Sequence, residues 1–421
     1  MKLAGLGVGY VFTLVVTRFL GADAFGVLSL CIAVLTLATI VGRCGVDTAL
    51  LRLVAVSAEA NRATEIRRRV RAGLVVVGAA SGVVATLTWI SADFWARTLV
   101  HDPGARSFFR VAALGVPPLS IAFVSFQSLR GLKRITAFVF FEYVARFLFA
   151  LALLPVVLLV VAGPMAGILA YVGGLWALAI ASTIVLFRVS AATNDDPSSE
   201  DENRYRKLLS IGLPLLVASS IMFVKGWIDT IMIGMYHDPR AVGIYAVALK
   251  LATLTTLPLL AINSIAAPKF AVSHGNQDVG AMAKVCEQSG RLIAATTIPI
   301  AAGLLVAPRL WLSLFGSEFA EGAPALVVLA GGYLFSALAG SVGYLLQMAG
   351  RQVAFQNITT LIMILNVLTN WLLVPRYGIT GAAVSTSVGL IAWNAACLWY
   401  VRRALGFWSV EFMWRWTRSP A

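Results

Sequence analysis

Ionisable side chains inside long apolar runs are the residues of this 421-residue chain whose types and positions could do chemistry. Arg18, Arg43, Arg52, Arg146, Lys225 and Lys250 lie within or beside such runs, against the carboxylates Asp47, Glu142 and Asp229. A Lys or Arg at the centre of a membrane helix costs about 2.5–3.5 kcal/mol on insertion scales, so each is expected to face protein or water rather than lipid. Three of the cations have a carboxylate four residues away: Arg43 with Asp47, Arg146 with Glu142, and Lys225 with Asp229. That spacing suits a self-neutralising pair buried between helices as well as it suits a functional site. Arg18, Arg52 and Lys250 have no such neighbour, and for Arg18 and Arg52 the alternative is snorkelling from a helix end to the headgroups. If the seventh apolar run ends at Met235 and the eighth begins at Val242, Asp229 lies about 9 Å, Lys250 about 12 Å and Lys225 about 15 Å below one membrane face. A space lined by Arg18, Arg52, Lys225 and Lys250, with Asp229 between two ammonium groups, is net positive and suits a ligand carrying negative charge. Asn366 and Asn370, with Trp371, Gln347 and Asn394, could hydrogen-bond or stack against sugars, or simply hold helices together.

Other chemistries are poorly supplied. Cys31, Cys44, Cys286 and Cys397 fall in or beside apolar runs with no CxxC pair, and His101, His237 and His274 are scattered. They are expected to form no disulfide and no metal site, and no cofactor is expected. The hydrophobic fraction is 59%, only 12% of residues are charged, and the mean hydropathy is +0.87. Too few polar side chains remain to coat a water-soluble fold. The net charge of +14 is concentrated in short connections between apolar runs, where membrane topology accounts for it without nucleic acid.

The elements that must position these side chains are membrane helices. Apolar runs occupy residues 3–20, 25–46, 73–90, 111–129, 136–161 and 163–187, and then 208–235, 242–265, 292–314, 323–348, 355–374 and 381–401. The expected fold is therefore all-α and polytopic, with about twelve transmembrane helices. It comprises a six-helix lobe over 1–190, an acidic linker over 191–207, a second six-helix lobe over 208–403 and an aromatic, basic tail over 404–421. Ala22-Asp23-Ala24 has the small residues of a signal cleavage site, but the next apolar run follows at once, and residues 3–20 are expected to stay as the first helix. Basic residues gather in the even-numbered connections: Arg62, Arg67, Arg68, Arg69 and Arg71, then Arg130, Lys133 and Arg134, then Arg204, Arg206 and Lys207. Both termini are thus expected on the cytoplasmic side of the cell membrane.

The halves echo each other at an offset of about 215 residues. Asp23-Ala24-Phe25-Gly26 answers Arg240-Ala241-Val242-Gly243, Phe94-Trp95 answers Leu310-Trp311, and Arg130-Gly131 answers Ala349-Gly350. Leu154-Pro155 likewise answers Val374-Pro375, and Ala166-Gly167 answers Thr380-Gly381. An even number of spans per repeat gives both repeats the same orientation, related by an axis along the membrane normal, the plan of a transporter that rocks.

The segments Thr17-Arg18-Phe19-Leu20-Gly21-Ala22-Asp23-Ala24-Phe25-Gly26 and Gly45-Val46-Asp47-Thr48-Ala49-Leu50-Leu51-Arg52 carry a family resemblance. So do Gly212-Leu213-Pro214, Trp227-Ile228-Asp229, Val242-Gly243-Ile244-Tyr245 with Lys250, Ala267-Pro268, and Tyr377-Gly378-Ile379-Thr380-Gly381. Over nearly its whole length the chain resembles the Wzx-type oligosaccharide flippases of the multidrug/oligosaccharidyl-lipid/polysaccharide exporter superfamily. The resemblance implies two lobes of MATE-like fold, alternating access, and transfer of a polyprenyl-pyrophosphate-linked oligosaccharide across the cytoplasmic membrane for surface polysaccharide synthesis. It implies that Arg18, Arg52 and Lys250 meet the pyrophosphate or acidic sugars. The expected partners are that anionic lipid-linked substrate, membrane lipids, and the polymerase and glycosyltransferases of the same process. The chain departs from the family pattern in a first helix short at its N-terminal end and in a tail after Arg403 expected to lie on the membrane surface.

A cation-coupled multidrug exporter of the same fold would want unpaired acidic residues, whereas here cations are in excess. A polytopic sugar polymerase or glycosyltransferase would want catalytic carboxylates or histidines on a substantial external loop, and no connection carries them. A transporter, not an enzyme, is expected. Cysteines introduced at Ser199 and Ala421 should react with an impermeant thiol reagent only from the cytoplasmic side; labelling of either from outside intact cells would contradict the orientation.

Overall fold

The computed structural model describes residues 2–60, 62–161, 163–190 and 204–409, and these are almost wholly helical. The acidic stretch 191–203 and the tail beyond 409 lie outside the described residues. The long helices are α1 (Lys2–Arg43), α2 (Val46–Glu59), α3 (Ala63–Ile90), α4 (Val116–Gly131), α5 (Arg146–Leu158), α6 (Pro164–Val189) and α7 (Arg204–Tyr236). They continue with α8 (Pro239–Thr253), α9 (Leu257–Gly275), α10 (Val279–Val306), α11 (Ala323–Leu338) and α12 (Gln352–Leu405).

Among the described residues, 9 helical stretches are long and apolar enough to cross a membrane. Two of them are double. In α1 the chain leaves helical geometry at Gly21 (φ 81°, ψ 178°), and in α12 at Gly378 (φ 54°, ψ −134°), conformations that glycine alone adopts without strain. Each break is a reversal. A Cβ on Gly167 would touch both Leu20 and Leu28, on either side of Gly21. The Ser385 hydroxyl meets both Thr369 and the Asn366 carbonyl, residues that a straight helix would carry more than about 20 Å away. With these reversals and with α7, the membrane-length legs among the described residues match the twelve expected runs. Large apolar side chains such as Val75, Val83, Leu87 and Ile90 on α3 point outward, a surface that a bilayer covers.

The chain divides into two compact units, Met1–Gly243 and Ile244–Ala421. In the first, α7 packs along α1 and α2, and α6 lies against α4 and α5. Glycines set the closest approaches. A Cβ on Gly26 would sit 1.7 Å from the Pro239 carbonyl oxygen, and one on Gly45 would sit 2.0 Å from that of Gly212. The echoing glycines Gly26 and Gly243 thus meet backbone to backbone. The second expected helix is also discontinuous: it stops at Arg43, passes through Cys44 (φ 48°) and Gly45 (φ 68°), and resumes as α2. In the second unit Phe270, Met282, Cys286, Leu345, Leu346, Cys397 and Val401 form the core, and the start of the tail tucks Phe407 into it.

Gly26→Ala should lower the thermal midpoint of the detergent-purified protein by several degrees, because backbone must move and overpacking costs about 1–3 kcal/mol. Gly78→Ala, at a helical site where a Cβ meets nothing within 4 Å, should leave the midpoint unchanged or raise it.

Candidate functional site

The first unit collects charge at the break between α1 and α2. Arg43 is the last helical residue before the break, and Asp47 lies in the first turn after it. Each charge is matched to the helix end that carries it, cation at the C-terminus and anion at the N-terminus. Arg43 Nη1 donates to Asp47 Oδ2 at 2.8 Å, with the two side chains only 11% and 5% exposed. The guanidinium also lies over the Phe123 ring of α4, 4.1 Å from its centre. One turn along α4 from Phe123, the buried Oε1 of Gln127 has no hydrogen-bond partner among the described residues.

Arg146 opens α5. It is delivered by a π-helical turn, Phe140–Ala145, inserted before α5. The sequence spacing suggested pairing with Glu142. In the structure Arg146 reaches across to α6, where Nε donates to the Tyr171 hydroxyl at 2.9 Å and Nη2 donates to the same oxygen. The i→i+5 bonding of a π turn shifts the residue stacked on Glu142 beyond position 146, which accounts for the change of partner. The Phe147 and Tyr171 rings flank the guanidinium at 5.9 and 5.7 Å, and Phe12 packs against both rings. Arg43 is thus supported by a carboxylate and a ring face, and Arg146 by a hydroxyl and two ring faces.

The other anticipated residues are distributed over both units. Arg18 is exposed on the first leg of α1, and Arg52 is exposed on α2. Asp229 is 8% exposed on α7; Lys225 is on the same helix, its side chain outside the described residues. Asp229 belongs to the first unit and Lys250 to the second. Lys250 is half-buried in the last turn of α8, just before a 3-10 turn at Leu254–Thr256, and its carbonyl accepts from Thr253 Oγ1 at 2.6 Å. Asn366 and Asn370 are brought together: Asn370, fully buried, donates from Nδ2 to the Asn366 carbonyl at 3.0 Å and to Oδ1 at 3.4 Å. With Thr369 and Ser385 they make a neutral polar seam joining the two legs of α12. Asn394 donates to Ser336 Oγ at 2.9 Å, and Gln347 to its own helix at 3.2 Å, as helix-packing groups do. Among the described residues no group of His, Cys, Asp and Glu is arranged to hold a metal.

Phe123 and Tyr171 carry no signal in the sequence, because their contacts with Arg43 and Arg146 bridge distant positions. The Cys44-Gly45 step directly after Arg43 is the one local sign of the helix break.

This architecture defines a multi-pass helical membrane protein of MATE-like fold with ionisable groups inside its spans. The chain belongs to the family described as polysaccharide biosynthesis protein, whose model matches residues 1–273; a second model, MatE, matches residues 214–375. A probable low-salt glycan biosynthesis flippase, Agl15 of Haloferax volcanii, is 26% identical over 184 residues, 44% of this chain and 39% of that protein. An uncharacterised membrane protein of Methanocaldococcus jannaschii is 26% identical over 209 residues, 48% of this chain and 40% of the relative. The matched part of the chain thus spans about two-fifths of these curated relatives. Among solved structures, an inward-facing multidrug resistance MATE family transporter of the MOP superfamily superposes with a TM-score of 0.72 at 14% identity, covering 91% of this chain and 93% of that one. The lipid II flippase MurJ in an inward closed conformation gives 0.68 at 10% identity, covering 90% and 86%.

Replacing Asp47 by Ala should leave Arg43 buried without its carboxylate and cost about 3–5 kcal/mol, seen as reduced folded protein. The pair Arg43→Gln with Asp47→Asn should recover most of that loss in a double-mutant cycle.

Proposed function

We propose that this protein is a flippase, not an enzyme, and that it carries a polyprenyl-pyrophosphate-linked oligosaccharide across the cytoplasmic membrane by alternating access, for surface polysaccharide synthesis. The observation that carries this reading is the placement of cations on membrane-length helices in a chain of the polysaccharide biosynthesis family. Arg43 and Arg146 stand on helices of the first unit, and Arg18, Arg52, Lys225 and Lys250 are spread over both units. A pyrophosphate cannot enter hydrocarbon bare, because desolvating an ion costs several kcal/mol even when it is paired, and guanidinium groups offer it charge with fork geometry. The name of the Haloferax volcanii relative, and the fold shared with MurJ, support a glycolipid as cargo. In this reading Arg18, Arg52, Lys225 and Lys250 attract the anionic headgroup while Asp229 balances them, and Asn366 and Asn370 serve the sugar. The basic connections and both termini face the cytoplasm, where glycosyltransferases supply the cargo, and a polymerase receives it on the far side.

The test is transport by the purified chain in vesicles. A fluorescent polyprenyl-pyrophosphate oligosaccharide should move between leaflets. Lys250→Ala should abolish movement at unchanged protein level, and Lys250→Arg should restore part of it because the charge is kept. Export of a cationic drug without movement of the glycolipid would favour the multidrug reading of the same fold; full glycolipid movement by Lys250→Ala would remove Lys250 from the site.

A further inference from the structure

An open groove of about 600 Å³ runs along the outer side of the first unit between α4 and α6. Trp176, Ile180, Ile184 and Arg188 recur every four residues along α6 and so form one stripe, faced by Ile121 of α4. Everything along the stripe is apolar except its end, where Arg188 lies in the last turn of α6, and no carboxylate pairs with it among the described residues. The groove floor is tied by a hydrogen bond between the Ser125 and Thr183 hydroxyls, 3.1 Å apart. The two helices run in the same direction, since Gly115 of the turn before α4 also approaches Leu175. Arg130 is five residues beyond Ser125 and Arg188 five beyond Thr183. The exposed Arg188 guanidinium therefore closes one end of the groove, whereas Arg130, at about the same depth, lies on the opposite face of α4 with its guanidinium 5.4 Å from the centre of the Phe138 ring.

We propose that this groove is a binding site for an anionic phospholipid of the surrounding bilayer, one acyl chain lying along Ile180 and Ile184 and the phosphate meeting Arg188. From Trp176 to Arg188 the stripe is about 18 Å long, close to the roughly 15 Å depth of one leaflet of hydrocarbon. A single acyl chain fills that length, whereas a polyprenyl tail overruns it. Charge complementarity fixes the headgroup: guanidinium groups bind phosphate with geometric specificity, and each cation near the surface favours an anionic over a zwitterionic lipid. The proposal concerns the outer face of one unit and stands independently of the transport reading.

Lipid retention measured by native mass spectrometry on the full chain tests it, with phosphatidylglycerol and phosphatidylcholine of identical acyl chains as probes. The wild type should retain phosphatidylglycerol preferentially, and Arg188→Gln should reduce that preference about fivefold. Ile180→Trp, at an exposed position that the fold tolerates, should fill the groove and lower retention of both lipids with Arg188 intact. Equal retention of the two lipids by the wild type, or an unchanged preference in Arg188→Gln, would overturn the site. Stronger retention of undecaprenyl phosphate than of phosphatidylglycerol would overturn the assignment to a bilayer lipid.

Discussion

A guanidinium in the interior of a bilayer has no water to solvate it, so a carboxylate, a hydroxyl, a ring face or a ligand must take water's place. Arg43 and Arg146 impose that requirement on the first unit, and much of its local irregularity answers to it. The break at Cys44-Gly45 sets Arg43 at one helix terminus and Asp47 at the next, so the backbone dipoles and the ion pair reinforce each other. The π turn before α5 turns Arg146 toward Tyr171, and the Phe147 and Tyr171 rings flank it with Phe12 packed behind them. Irregular backbone inside a membrane-spanning element is tolerable where protein surrounds it.

Close backbone approach is the second requirement. Hydrocarbon gives no hydrophobic drive for helices to associate, so contact depends on small residues and buried hydrogen bonds. Gly26 against Pro239 and Gly243, and Gly45 against Gly212, bring main chains together at distances that no side chain permits. The second unit adds neutral polar seams to such glycine contacts as Gly332 against Ser387, with Asn366, Thr369, Asn370 and Ser385 between the legs of α12, and Asn394 with Ser336 between α12 and α11. In the proposed reading the cations of both units suit a phosphate, and the amide- and hydroxyl-rich seam of the second suits a sugar.

Composition and hydropathy determined a great deal by themselves. A chain with 12% charged residues can only be placed in a membrane, and backbone groups that must be satisfied within each segment there make it helical, so the twelve runs were legible as helices. The breaks at Gly21 and Gly378 fall in the gaps between expected runs, but that each is made by a single glycine with positive φ came only from the structure. The Arg43–Asp47 pair could be read from its spacing, since i,i+4 on one helix is a local relation, and it survives even the break between the two positions. The partner of Arg146 could not be. Whether a side chain turns to the carboxylate on its own helix or to a hydroxyl on another depends on a single inserted turn and on which helix lies alongside. Phe123 under Arg43 and the α4–α6 groove have the same origin: they are properties of helices brought together, and only packing in three dimensions decides them.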